Sequence, residues 1–224
     1  REKEVQKKEN KRKKVSSPKT SQKDLPAVPI CAEGTQVPVF IQACVNYIEK
    51  EGLQAEGIYR VPGNRAQGDL LFQKLDEQGV NFTLDGMEVP INAVATALKD
   101  FFGKRLPPIV TPDIMEFITE LTDKFADKNL RLFALRDQLK KLPSQNFEIL
   151  KYIFNHFVKV CKCSRQNSMD SRNLAICWWP TLLPYDFNDM SRFERMRPNL
   201  EDTVQTMIDQ YSFIFCGEEE VMMV

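Results

Sequence analysis

One charged group stands out by its setting. The segment Glu56-Gly57-Ile58-Tyr59-Arg60-Val61-Pro62-Gly63-Asn64 separates two stretches of helical periodicity, and Arg60 is the sole charged residue between its glycines. Two glycines and a proline constrain the backbone, so the loop would present one guanidinium from a stiff base. A planar, permanently charged fork suits phosphate oxygens. The same residues also fit an exposed loop arginine with no special role, and the segment alone leaves both readings open.

The other reactive side chains point away from a self-contained active site. The chain has one histidine, His156, between Phe154 and Phe157 in a helical stretch. A Ser-His-Asp or Cys-His system is hard to build around it, and the flank of a packed helix is its expected place. Six cysteines occur, at 31, 44, 161, 163, 177 and 216, without Cys-x-x-Cys spacing. Clustered zinc ligands are missing, so no metal site is expected, and the cysteines read as reduced core residues of a cytosolic protein. No Gly-x-x-x-x-Gly-Lys-Ser/Thr loop or Gly-x-Gly-x-x-Gly turn is present to hold a nucleotide. Carboxylates such as Glu116 and Glu120 fall on the polar face of an amphipathic helix, where solvation is the default. The inventory favours binding to a macromolecule.

The 224 residues suffice for one domain with a tail. A formal net charge of zero hides an asymmetry: residues 1–24 hold ten Lys/Arg against four Asp/Glu, leaving 21 against 27 in the rest. A basic tail on a mildly acidic body is not the even basic coating of a nucleic-acid-binding domain. Residues 1–36, with Lys11-Arg12-Lys13-Lys14 and then Pro18, Pro26 and Pro29, read as a disordered linker. A nuclear signal or a weak contact with an anionic membrane through residues 1–24 is the functional alternative. No apolar run approaches the ~20 residues a membrane span needs. The opening Arg1-Glu2-Lys3-Glu4 has neither Met nor hydrophobic leader, as in a piece of a longer protein.

From Val37 the periodicity is helical. Phe40, Cys44, Tyr47 and Ile48 share a face, closed by Gly52; Leu70, Leu71 and Leu75 predict a second helix ending near Gly79. Pro90 suits the start of a third, with Val94, Leu98, Phe101 and Phe102, and Thr111-Pro112-Asp113 opens a fourth, with Ile114, Phe117, Ile118 and Leu121 inward. Leu132, Leu135, Leu139 and Leu142 form a stripe stopped by Pro143. Ser144 is expected to cap the next helix, which carries Phe147, Leu150, Phe154, Phe157 and Cys161. One more carries Leu174, Ala175 and Trp178 and should break at Pro180; the last, with Val204, Met207, Ile208, Tyr211 and Phe215, should open near Asn199. Residues 81–84 allow a short extended piece. The fold class is all-α: a single bundle-like domain of about eight or nine helices over residues 37–216, with 217–224 as a C-terminal tail.

Three blocks carry a family resemblance. Gly57-Ile58-Tyr59-Arg60-Val61-Pro62-Gly63 resembles the Gly-Ile-(Phe/Tyr)-Arg-x-(Ser/Pro)-Gly segment of RhoGAP domains, which holds their arginine finger. Ala97-Leu98-Lys99-Asp100-Phe101-Phe102 is similar to their Leu-Lys-x-Phe-(Phe/Leu) helix. Asn173-Leu174-Ala175-Ile176-Cys177-Trp178-Trp179-Pro180-Thr181-Leu182 is similar to their Asn-Leu-Ala-x-x-Phe-x-Pro-x-Leu helix. The blocks follow in the family's order and at about its separations, and the resemblance runs from about Val37 to Phe215. The Trp179-Pro180 pair looks most like large multidomain RhoGAPs that carry their own GTPase-like domain.

The resemblance implies a GTPase-activating domain that binds a Rho-family small GTPase in its GTP form and speeds hydrolysis in trans. Arg60 matches the finger. Lys99 matches the lysine that supports the finger loop and contacts the GTPase, and Asn173 the asparagine that meets the switch region. Pro180 reads as structural; Trp179 would be an interface anchor if exposed and packing if buried. No cofactor is implied, because GTP and Mg²⁺ belong to the partner. A monomer in the cytoplasm, with recruitment to a membrane open through the tail, completes the expectation. In place of the family's Phe-Phe-Arg-Glu-Leu-Pro, this chain reads Phe101-Phe102-Gly103-Lys104-Arg105-Leu106-Pro107. An interface arginine of the family therefore falls on Gly103, and Lys104 or Arg105 is the candidate to compensate. The rival reading is a binding scaffold of the same fold without catalysis, favoured by Gly103 alone.

Overall fold

The computed structural model describes residues 30–185 and 189–217. The basic cluster at 11–14, the membrane or nuclear role of residues 1–24 and the tail at 218–224 lie outside the described residues. Ten α-helical segments follow one another: α1 Val39–Glu51, α2 Arg65–Gln78, α3 Ile91–Lys104, α4 Pro112–Lys124, α5 Lys128–Leu139, α6 Ser144–Lys162, α7 Ser164–Asn167, α8 Ser171–Leu182, α9 Met190–Asp209 and α10 Tyr211–Phe215. Eight of them have twelve residues or more, in line with the all-α expectation. Among the described residues the one extended pairing is a bridge between Cys31 and Pro38. Phe82 is extended and both Phe82 and Leu84 are buried, yet no ladder forms there.

The central helix is α3, where Val94, Leu98, Phe101 and Phe102 are joined in the core by Ala93, Ala95 and Ala97. The alanines let neighbours approach from more than one side, and α1, α2 and α8 all pack on it. Phe40 of α1 stacks on Phe101 with ring centroids 4.8 Å apart and also meets Phe72 of α2. The 19-residue α6 forms the second spine, contacting α1, α8, α9 and α10. Trp178 of α8 joins the two spines, meeting Phe102 of α3 at 5.7 Å and Phe157 of α6 at 4.9 Å between centroids. Burying such a ring contributes about 3 kcal/mol from area alone.

Several local expectations are corrected. Leu70 faces solvent while Leu71 and Leu75 are buried, because on a helix adjacent residues point about 100° apart. Ser144 is the first helical residue rather than the cap; Pro143 occupies the cap position with no side-chain bond. The α8 helix runs through Pro180 to Leu182, since near a C-terminus proline forfeits one bond while Trp179 and Leu182 stay packed. The α9 helix opens at Met190, capped by Asp189, and carries Pro198 inside. Its first half is mostly exposed, leaving little periodic apolar signal. Tyr211 and Phe215 belong to the separate α10.

His156 is not on a flank but fully buried. All six cysteines are free, and only Cys44 is completely enclosed. Burial pushes the Cys161 thiol up to about 12, and Cys44 further still, so both are protonated and inert.

Candidate functional site

The loop between α1 and α2 is built by an alternation of inward and outward side chains. Ile58 and Tyr59 are buried, whereas Arg60 and Val61 point outward. Gly57 has φ 66° and Tyr59 has φ 69°. The first is natural for glycine; the second is rare for an aromatic residue and persists only where the surroundings fix it. The turn closes with the Arg60 and Val61 amides both donating to the Gly57 carbonyl, at 2.9 and 2.8 Å.

Each end of the loop is pinned. The Gly57 amide donates to the Asn167 carbonyl at 2.8 Å. Asn167 is itself buried, its amide nitrogen bonding the Leu53 and Val160 carbonyls at 2.8 and 2.9 Å while its amide oxygen accepts from Met169. At the other end, the Gly63 amide donates to Thr96 Oγ1 of α3 at 2.8 Å, and Gly63 lies flat against the Asn92 backbone. Asn64 then caps α2 by accepting from the Ala66 and Gln67 amides. The loop is therefore a rigid bracket held by α2, α3 and the α6–α8 junction.

From this bracket the Arg60 side chain projects about half exposed, with Nη2 3.4 Å from Glu56 Oε1. Glu56 Oε2 accepts from the Ser168 hydroxyl at 3.0 Å. Ser168 occupies the left-handed region that closes α7, and its carbonyl accepts the Asn173 side-chain amide at 3.1 Å. Asn173 is thus joined to Arg60 through Ser168 and Glu56. Asn173 also lies in the first turn of α8, where Asp170 accepts its backbone amide, so it has the local helix-start role as well.

Lys99 reaches the same place from α3. Its ammonium sits 5.8 Å from the centre of the Trp178 ring, and burial lowers its pKa, with Cys177 and Asp100 acting the other way. Cys177 of α8 feels both Lys99 and Arg60, although burial dominates and raises its pKa. Arg60, Lys99 and Asn173 therefore lie along α8 between Asn173 and Trp178 and form one cationic and polar corner.

Lys104 and Arg105 are placed differently. They lie about 8 Å further along α3, at 1.5 Å per residue. Lys104 pairs with Asp100 at 2.6 Å. Arg105 makes two bonds to Asp76 of α2, at 2.9 and 3.0 Å, over the ring of Phe72. Both are engaged within the domain. Gly103 is exposed, with open space where a side chain would stand.

Two apolar residues at the corner escaped sequence reasoning. Val61, next to Arg60 in the chain, and Ile176, between Asn173 and Cys177 on α8, are 41% and 43% exposed, high for branched aliphatics. The α8 neighbours Leu174, Ala175 and Trp178 are apolar and buried, so the sequence gives no sign that Ile176 faces solvent. Glu56 and Ser168 were missed too, though Glu56 stands four residues before Arg60, a pairing distance in a turn. Trp179 is buried and packs on Phe193, so it serves packing rather than an interface. Among the described residues no cluster of His, Cys, Asp and Glu could hold a metal ion, and no helix is long and apolar enough to cross a membrane.

Comparison with known proteins bears on this corner. A family model described as the RhoGAP domain matches residues 38–186. Rho GTPase-activating protein 190 of Drosophila melanogaster is 53% identical over 207 residues, covering 87% of this chain and 13% of its own length. Rho GTPase-activating protein 35 of Mus musculus is 36% identical over 191 residues, 85% of this chain and 12% of its own. The chain thus spans about an eighth of these relatives. The crystal structure of human Rho GTPase activating protein 15 superposes with a TM-score of 0.74 at 31% identity, covering 82% of this chain and 86% of that one.

Proposed function

This chain belongs to the RhoGAP domain family, and on that premise we propose that it accelerates GTP hydrolysis on a GTP-loaded Rho-family GTPase by lending Arg60 in trans. The observation that carries the reading is the outward Arg60 on a backbone pinned at Gly57, Tyr59 and Gly63. Phosphoryl transfer gains little from covalent help and much from charge fixed against the phosphate oxygens. A guanidinium on a rigid bracket supplies that charge without reorganising. In the Ras system, a trans-acting arginine is worth about 10³–10⁵ in rate, or about 4–7 kcal/mol of barrier. A lysine would offer a point charge without the planar fork.

Lys99 and Asn173 take supporting parts. Lys99 braces the corner beneath the finger and meets the partner. Asn173 fixes the loop through Ser168 and Glu56 and meets the switch region. Val61 and Ile176 add apolar contact. Lys104 and Arg105, already paired, contribute mainly by long-range attraction. The domain needs no cofactor of its own, since nucleotide and Mg²⁺ arrive with the GTPase, and it works as a monomer in the cytoplasm.

Single-turnover hydrolysis by a panel of GTP-loaded Rho-branch and Rac-branch GTPases, with catalytic amounts of the domain, tests this. Arg60→Ala is expected to lose nearly all acceleration while still binding the GTP form. Full activity in that variant would sink the finger assignment. Binding without faster turnover by the parent would establish a scaffold instead.

A further inference from the structure

Directly behind the finger, a polar chain runs into the core. The Tyr59 hydroxyl lies 2.6 Å from Nε2 of His156. The other ring nitrogen, Nδ1, is 3.0 Å from Glu49 Oε1 on α1. Glu49 Oε2 in turn accepts from Lys159 at 2.6 Å. A carboxylate can only accept, so Nδ1 carries the imidazole proton; in the neutral ring Nε2 is then bare and accepts the Tyr59 O–H. Every bond of the chain has a fixed direction, and the chain ends on the left-handed residue that immediately precedes Arg60.

We propose that His156 is a positioning residue for the Arg60 finger, holding Tyr59 by its hydroxyl so that the next residue projects its guanidinium outward. The proposal rests on the reading of Arg60 as the finger. The Tyr59 ring is edge-on to Phe157 and Trp178, apolar contacts that fix its plane and set no direction along its length. The hydroxyl bond sets that remaining coordinate. A loop shifted along it would move Arg60 relative to the phosphate while leaving Ile176 and Asn173 of α8 in place for docking. Loss of the bond therefore acts on turnover rather than on affinity.

The same chain carries a pH dependence. A proton added to Nε2 removes the acceptor, and the Tyr59 hydroxyl must turn its own hydrogen elsewhere. The groups facing the ring are Glu49 from α1, which favours protonation, and Lys159 from α6, which opposes it. The loop offers neutral Tyr59, with neutral Cys44 of α1 near it and Trp178 of α8 edge-on to its ring. Burial outweighs Glu49 and holds the ring neutral.

The test uses Tyr59→Phe, His156→Asn and His156→Gln in single-turnover hydrolysis. A glutamine amide reaches the place of Nε2 and an asparagine amide that of Nδ1, so Gln keeps a partner for Tyr59 and Asn does not. Tyr59→Phe and His156→Asn are expected to lower the maximal rate by roughly tenfold at unchanged half-saturating concentration, and His156→Gln to recover most of it. The acid limb of the parent's rate profile should flatten in Tyr59→Phe. Independently of any GTPase, exchange of the Arg60 and Val61 amides should quicken in Tyr59→Phe while α6 amides hold. Unchanged maximal rates with only a lower melting temperature, or unchanged Arg60 and Val61 exchange, would overturn the proposal. Should the parent itself fail to accelerate hydrolysis while exchange responds as expected, the finger reading fails and the hold on Tyr59 stands.

Discussion

Gly63 lies against the carbonyl of Asn92 so closely that a Cβ on Gly63 would stand 2.2 Å from that oxygen. The Arg60 loop is thereby seated on the first turn of α3, with no room for even a methyl group. Neither group can yield by rotating a side chain, because the contact is backbone on backbone.

Gly63→Ala is accordingly expected to destabilise the domain by about 2–3 kcal/mol and to lower its melting temperature by roughly 4–12 °C. Thermal unfolding measures the first effect. The residual folded protein should accelerate hydrolysis less than the parent at equal occupancy, because Arg60 is carried by the displaced segment.

Glu56→Gln tests the resting partner of Arg60. The Arg60–Glu56 pair is exposed at 49% and 64%, so its loss should leave stability within about 0.5 kcal/mol. Arg60 would then no longer need to exchange one anion for another. The half-saturating concentration of GTP-loaded partner is expected to fall by up to roughly fivefold, most visibly at low salt.

Trp179 and Ile176 separate packing from docking. Trp179→Ala empties a buried site and should cost about 3–5 kcal/mol in urea unfolding. Ile176→Ala trims an exposed side chain and should leave unfolding nearly unchanged while weakening partner binding by about 1 kcal/mol. The opposite pattern would show that the interface lies elsewhere.

Acid should unfold the domain earlier than its carboxylates alone require. His156 has a folded pKa below its ordinary 6.5, chiefly through burial, so between these values the unfolded chain binds the extra proton. Its contribution is complete above about 6.5 and is lost as pH falls toward the folded value. Glu49 feels burial pushing its pKa up, but the bonds from His156 and Lys159 prevail and hold it below 4.5. That second contribution is present above about 4.5 and lost as pH falls through the folded value. Urea midpoints between pH 7.5 and 3 should decline in two stages, and His156→Gln should remove the earlier one.

Much of this was legible in the sequence where residues repeat at helical spacing or sit in a recognisable block. Arg60, Lys99 and Asn173 are picked out by their blocks, and all three approach α8 between Asn173 and Trp178. The first half of α9 was not legible, because its residues are mostly exposed and carry no apolar stripe for periodicity to detect. The His156 chain was hidden for a different reason. Its partners Glu49, Tyr59 and Lys159 are ordinary residues whose meeting depends on how α1, α6 and the loop pack. The pairing of Arg105 with Asp76 was invisible likewise, and it gives that arginine a task within the fold.

The left-handed backbone at Tyr59 has a consequence for timing. The conformational cost of shaping the Arg60 loop is met once, when the chain folds, and does not recur at each encounter. With no slow rearrangement standing between collision and a competent complex, the proposed pairing should form at rates set by diffusion and charge. Discrimination among GTPases would then reside in how long each one stays.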